Sequence, residues 1–95
     1  MKLPDHLIKN YLQRRMNEVL LCNQSLENNN LDFLATVGHQ LKGNGTMYGF
    51  PSISEVGEKL EKAALQKNHT TILKILDEYQ KILGELNLSQ NHPPL

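Results

Sequence analysis

The sequence predicts an all-α fold, an antiparallel up-down bundle of four helices. Three observations carry this. Apolar residues recur at helical spacing in four segments. No segment alternates with the period of two that a strand requires. Short runs of turn-forming residues separate the segments, and helices joined by short turns pack as antiparallel neighbours. The 95 residues form one domain, 1–95, whose helices share one interior.

The first helix is expected over about 5–26. Ile8, Tyr11, Leu12, Val19, Cys22 and Leu26 make one stripe at about 100° per residue. Leu20 and Leu21 point partly away from that stripe and predict an exposed apolar patch or a seed for dimerisation. "ENNN" breaks the helix, and Asn30 is placed to cap the next one. The second helix is expected over about 31–48, with Leu34, Val37, Leu41 and Tyr48 inward, Gly49 as its stop and Pro51 beyond. The third, over about 52–66, opens with Ser52 and Glu55 at the spacing of a capping box. Ile53, Val56, Leu60 and Ala64 form its inner face. "QKNH" is the next turn. The fourth, over about 70–86, points Ile72, Ile75, Leu76, Tyr79, Ile82, Leu83 and Leu86 inward. Residues 88–95, ending "NHPPL", read as a frayed tail.

Ten basic residues balance ten acidic ones. With no block of like charge, a nucleic-acid or anionic-membrane partner is not expected. The single Cys22 has no partner for an internal disulfide, which fits a reducing, cytoplasmic setting. No apolar run approaches the ~20 residues of a membrane span, and the N-terminus lacks the pattern of a signal peptide.

The stretch "GHQLKGNGTMYGF" interrupts this regular pattern with Gly38, Gly43, Gly45 and Gly49. Each glycine inside a helix costs about 1 kcal/mol relative to alanine. Gly45 lies on the apolar stripe and reads as close packing, and Gly49 as a C-cap. His39 falls about 140° from Leu34, on the polar face, so it is not a core histidine. Gly43 is one turn later, where any other residue is expected to bring a Cβ against the imidazole. Lys42, at i+3, lies on the adjoining face. An exposed imidazole, a cleared flank and a nearby cation suit phosphoryl carriage. The neutral ring is a nucleophile near physiological pH, and positioning with charge stabilisation supplies most of the rest. A lone surface histidine or lysine would imply nothing; it is the combined spacing that carries the reading. The glycines do not have the spacing of a nucleotide-binding loop, and no strand precedes them. His6, His69 and His92 lack zinc-ligand spacing.

"HQLKGNGTMYGF", followed by "LEKAA", resembles the signature of histidine-containing phosphotransfer (HPt) domains of two-component phosphorelays. That pattern is His-x-x-Lys-Gly, a short variable run, a glycine with a large apolar residue, then a helix ending in Leu-Glu or Leu-Gln. By motif the resemblance covers about residues 31–64. It implies a four-helix bundle in which His39 accepts the phosphoryl group on Nε2, Lys42 stabilises it and Gly43 gives access. Glu61 stands where members carry Gln or Glu to hold the other ring nitrogen. By its flanking position alone, Glu61 reads equally as a surface ion-pair member. Gly38 departs from members with a larger side chain there, which implies a softer helix.

The resemblance further implies a phosphotransfer intermediate without its own ATP-dependent kinase activity. Its partners would be a response-regulator receiver domain and a histidine kinase or hybrid kinase. No cofactor is expected, the Mg²⁺ being supplied by the receiver. Docking is expected across the second helix, on Thr36, Gln40, Thr46, Met47 and Phe50. A monomer is expected. Two rivals stay open: a four-helix adaptor that binds a receiver without carrying phosphate, and the phospho-accepting domain of a larger hybrid or chemotaxis-type kinase. Met1 and the short tail favour a free-standing protein.

Overall fold

A computed structural model describes residues 3–90. Four helices follow in order: α1 (Asp5–Glu27), α2 (Leu31–Met47), α3 (Pro51–Leu65) and α4 (His69–Gln90). Each packs against the next, and α4 returns to α1 to close the ring. Cross-helix bonds fix the directions. His39 on α2 meets Glu61 on α3; two turns further along α2 and two turns back along α3, Thr46 meets Ser54. The two helices are therefore antiparallel.

All three connections use one local solution. At the end of α1 the Asn29 and Asn30 N–H groups return to the Leu26 and Ser25 carbonyls. Gly49 and Phe50 do the same at the end of α2, onto Thr46 and Gly45. Lys67 and Asn68 repeat it after α3, onto Ala64 and Ala63. In each case the first residue of the pair has positive φ: 57° at Asn29, 89° at Gly49 and 56° at Lys67. This is the Schellman arrangement, which satisfies carbonyls that the helix end would leave unpaired. The second residue of each pair immediately precedes the next helix. Asn30 accepts from the Phe33 N–H, and Asn68 accepts from the Thr71 N–H at 3.1 Å. One short turn thus closes one helix and opens the next, reversing the chain each time.

The inward stripes meet in one core of Ile8, Leu12, Val19, Cys22, Leu34, Val37, Leu41, Ile53, Val56, Leu60, Ile72, Leu76, Tyr79 and Leu83 with their neighbours. Leu26, Tyr48, Ile82 and Leu86 pack against it half-buried. Burial pushes the Cys22 thiol up to about 12, so it is a core residue in the neutral form. Tyr11 ties α1 to α2: its hydroxyl donates to Asn44 Oδ1, and its ring stacks on Tyr48 with centroids 4.1 Å apart. The Arg15 guanidinium lies over the same Tyr11 ring, 4.9 Å from its centroid. Arg15 Nε stands 3.2 Å from Glu18 Oε1 as an ion pair without hydrogen-bond alignment, and burial raises the Glu18 carboxyl.

The helix ends fall within one residue of those expected except at the end of α4, and two of the differences have consequences. The Ser52–Glu55 capping box does not form, because α3 starts at Pro51. Proline suits the first helical position, so Ser52 stands inside the helix instead of at its cap, and the Ile53 and Ser54 N–H groups bond to the Phe50 carbonyl with no side-chain cap. The fourth helix starts at His69 and runs on to Gln90, so Leu88, Ser89 and Gln90 are helical rather than frayed. Asn87 reaches Met16 Sδ and fastens this end to α1. Residues 91–95 of the expected tail lie outside the described residues. Leu20 and Leu21 are exposed as their spacing indicated. Among the described residues no helix is long and apolar enough to cross a membrane.

Two residues with positive φ differ in how well they suit it. A side chain in the left-handed region costs about 1–2 kcal/mol, and glycine gives back about 0.5–1 through its larger entropy loss. Lys67→Gly should therefore stabilise the fold by about 0.5–1 kcal/mol, whereas Gly49→Ala should destabilise it by about 1 kcal/mol. Thermal or urea unfolding checks both signs.

Candidate functional site

α2 presents His39 on the side away from the core, and the ring is 76% exposed. Its Nδ1 lies 2.9 Å from Glu61 Oε2 on α3. An ionised carboxylate only accepts, so the imidazole nitrogen donates. For the neutral ring this selects the Nδ1–H tautomer and leaves the Nε2 lone pair free toward solvent. The Glu61 side chain is 25% exposed, and its carboxylate meets the ring.

What lets Glu61 reach so far is the proximity of the two backbones. A Cβ on Gly38 would stand 2.5 Å from the Glu61 backbone nitrogen and 2.8 Å from the Gly57 carbonyl oxygen. A Cβ on Gly57 would stand 2.7 Å from the Gly38 carbonyl oxygen, and one on Gly45 would stand 2.5 Å from the Ser54 nitrogen. No side chain fits at any of the three. Ser54 Oγ closes the same seam, accepting from the Thr46 N–H at 2.7 Å and bonding the Thr46 hydroxyl at 2.9 Å.

Lys42 is exposed on the α3 side of His39 and makes no ion pair among the described residues. With Glu58, Glu61, Lys62, Leu65 and Gln66 it lines a shallow groove, of which Glu61 also contacts the imidazole. The site thus combines a nucleophilic nitrogen held in one tautomer with a cation on its flank and open access. Compared with known families, the chain matches the model of the Hpt domain over residues 6–87. The chain belongs to the Hpt domain family. Hpt domains carry phosphoryl groups in two-component phosphorelays and are not themselves kinases. They interact with receiver domains and histidine kinases. No curated protein and no solved structure gives a significant match.

Within this Hpt domain, the structure brings His39, Lys42 and Glu61 to one edge of the α2–α3 seam. Gly43 is on that face too, but not for the steric reason its spacing indicated. A Cβ there would meet nothing within 4 Å, the imidazole included, because the ring is turned toward Glu61. The space that Gly43 leaves open is therefore external. Of the docking candidates, Thr36, Gln40, Thr46 and Met47 are exposed. Met47 is 73% exposed. Phe50 is a correction: it is only 9% exposed and packs 6.2 Å from the Tyr11 ring. As the residue that completes the turn after α2, it is drawn into the core and is not available to a partner.

Sequence reasoning missed the role of Gly38 and did not single out Gly57. The signal was present. On helical wheels both fall within about 40° of an apolar anchor, Leu34 for Gly38 and Ile53 for Gly57, so both belong to inward faces. Leu65, 70% exposed at the rim of the groove, was also not singled out. Among the described residues no group of three or more His, Cys, Asp or Glu could hold a metal ion.

The two kinds of glycine predict opposite responses. Gly43→Gln should leave stability unchanged or raise it by up to about 1 kcal/mol, the helix-propensity difference. Gly57→Ala should lower it by about 1–3 kcal/mol, the range for overpacking. Paired unfolding curves measure the contrast.

Proposed function

We propose that this Hpt domain relays a phosphoryl group between receiver-domain aspartates, or onward from a histidine kinase, through a phosphohistidine at His39. The observation that supports this most is the 2.9 Å contact between Nδ1 and Glu61 on an exposed side chain, an arrangement that in the neutral ring keeps the proton on Nδ1 and Nε2 free to react.

In this reading the Nε2 lone pair attacks the phosphorus of a receiver's aspartyl phosphate in line. The Nε2–P bond forms as the P–O bond to the aspartate breaks, and the aspartate leaves as carboxylate. The Nδ1 proton stays on the ring. The positive charge that the ring acquires is balanced by Glu61, and the phosphoryl oxygens face the Lys42 ammonium. Transfer to a second receiver reverses these steps, so nothing is consumed. The carboxylate and the lysine act on charge that develops during transfer, which is where electrostatic groups contribute most. This chain supplies no Mg²⁺ ligands in the reaction; the receiver brings the ion with its aspartate.

The receiver docks over α2 around His39, with Thr36, Gln40, Thr46 and Met47 toward it. Apolar contact comes from Met47, with Leu65 across the groove, and exposed polar side chains surround them, as in the general plan of protein interfaces. The domain works as a cytoplasmic monomer.

His39→Gln should abolish phosphorylation by a phosphorylated receiver while changing stability by no more than about 0.5 kcal/mol, as expected of a surface position. Lys42→Ala should slow transfer without abolishing it, since the nucleophile remains. Radiolabel transfer onto wild type and both variants, with acid and base treatment of the product, checks this. Phosphohistidine is labile to acid and stable to base. An acid-labile label on His39→Gln would show that the acceptor lies elsewhere. No label on wild type from any receiver would favour an adaptor that binds without carrying phosphate.

A further inference from the structure

We propose that Gly38 is a positioning residue for this transfer: by holding the α3 backbone against α2 at Glu61, it sets the tautomer of the neighbouring imidazole. The inference rests on His39 being the phospho-acceptor, and it adds a residue that touches neither substrate nor ring.

Three features of the geometry lead to it. First, the atoms that exclude a side chain at Gly38 belong to Glu61 itself. The absent Cβ would lie 2.5 Å from its backbone nitrogen and 2.9 Å from its Cα. Secondly, the three nearest contacts are all with backbone, the Gly57 carbonyl oxygen at 2.8 Å included. No flexible side chain can swing aside, so a methyl group there must move a helix. Restoring an ordinary contact of 3.4 Å from 2.5 Å displaces the Glu61 backbone by about 0.9 Å. Thirdly, the bond that depends on this spacing has little slack. At 2.9 Å it is near its optimum, and lengthening by more than about 0.3 Å takes it out of the usual hydrogen-bonding range. Without the Glu61 acceptor nothing selects Nδ1–H, and Nε2 carries the proton in part of the population, where it cannot attack phosphorus.

Gly45 provides the internal control. Its absent Cβ is just as close to a backbone nitrogen, 2.5 Å from that of Ser54, but two turns away from the imidazole. Gly38→Ala and Gly45→Ala therefore overpack the same seam to a similar degree, and only the first displaces Glu61.

The test is a two-bond ¹H–¹⁵N correlation spectrum of the full chain at a pH where the ring is neutral. The His39 signals are identified by their loss in His39→Gln, and Glu61→Ala supplies the pattern of a ring without the acceptor. Wild type should show the Nδ1–H form dominant. Gly38→Ala should lose that preference and approach the Glu61→Ala pattern. Gly45→Ala should melt lower than wild type yet keep the wild-type pattern. A Gly38→Ala protein that melts lower but retains the Nδ1–H preference would overturn the proposal, as would a Gly45→Ala protein that loses it equally. Glu61→Asp covers the case in which Gly38→Ala does not fold. It shortens the reach by one methylene without touching the seam, and it should lose the preference; keeping it would show that the spacing is not critical. Phosphoramidate added to wild type separates the two readings. If no variant's tautomer responds but His39 is phosphorylated, the positioning role fails and the relay stands. If the tautomers respond as described and His39 takes no phosphoryl group, the relay fails instead.

Discussion

Backbone contact between α2 and α3 is the constraint on which the rest depends. Gly38 and Gly45 on one helix and Gly57 on the other leave no room for a Cβ between them. Magnitudes show the direction of cause. A single contact at the surface such as that of His39 with Glu61 is worth about 1 kcal/mol, whether as a hydrogen bond or an ion pair, and could not draw two helices together. Overpacking the seam is expected to cost more, about 1–3 kcal/mol. The helices therefore hold the pair, and the pair does not hold the helices. Chemistry at the surface can then be tuned with little consequence for the fold.

The remainder of the bundle serves to make that seam reproducible. Three connections of the same type reverse the chain, each closing one helix with a positive-φ residue and opening the next from the following one. Short, hydrogen-bonded turns fix the register as well as the direction, since they leave little freedom to slide one helix along another. On the opposite side, Tyr11 joins α1 to α2 through Asn44 and the stacked Tyr48 ring. α2 is thus held from both flanks, and only its outer face, with His39, Lys42 and Gly43, is left to solvent.

The helices were legible because apolar side chains announce a period, and four stripes with short breaks admit few arrangements. His39 and Lys42 were legible from their spacing and Glu61 only through the family resemblance, its position alone fitting a surface ion pair equally well; the fold does bring the three to one edge. The failures share a physical origin. Gly38 and Gly57 act by what they lack, so the contact they permit is between backbones and leaves no side-chain mark. The Ser52–Glu55 spacing was a valid local signal that lost to Pro51, whose fixed φ starts the helix one residue earlier. Phe50 resembled a docking residue in the motif, but the turn it completes returns its ring to Tyr11. The open flank at Gly43 was inferred from i+4 adjacency, which does not say which way the imidazole turns; Glu61 decides that.

The central claim is that the imidazole of His39 reacts through Nε2 because Glu61 holds the proton on Nδ1. The most direct measurement is ³¹P–¹⁵N nuclear magnetic resonance of the phosphorylated, ¹⁵N-labelled chain, which shows which ring nitrogen is bonded to phosphorus and which still carries a proton. The account predicts phosphorus on Nε2 of His39, with Nδ1 protonated. Phosphorus on Nδ1, or on any residue other than His39, would contradict it.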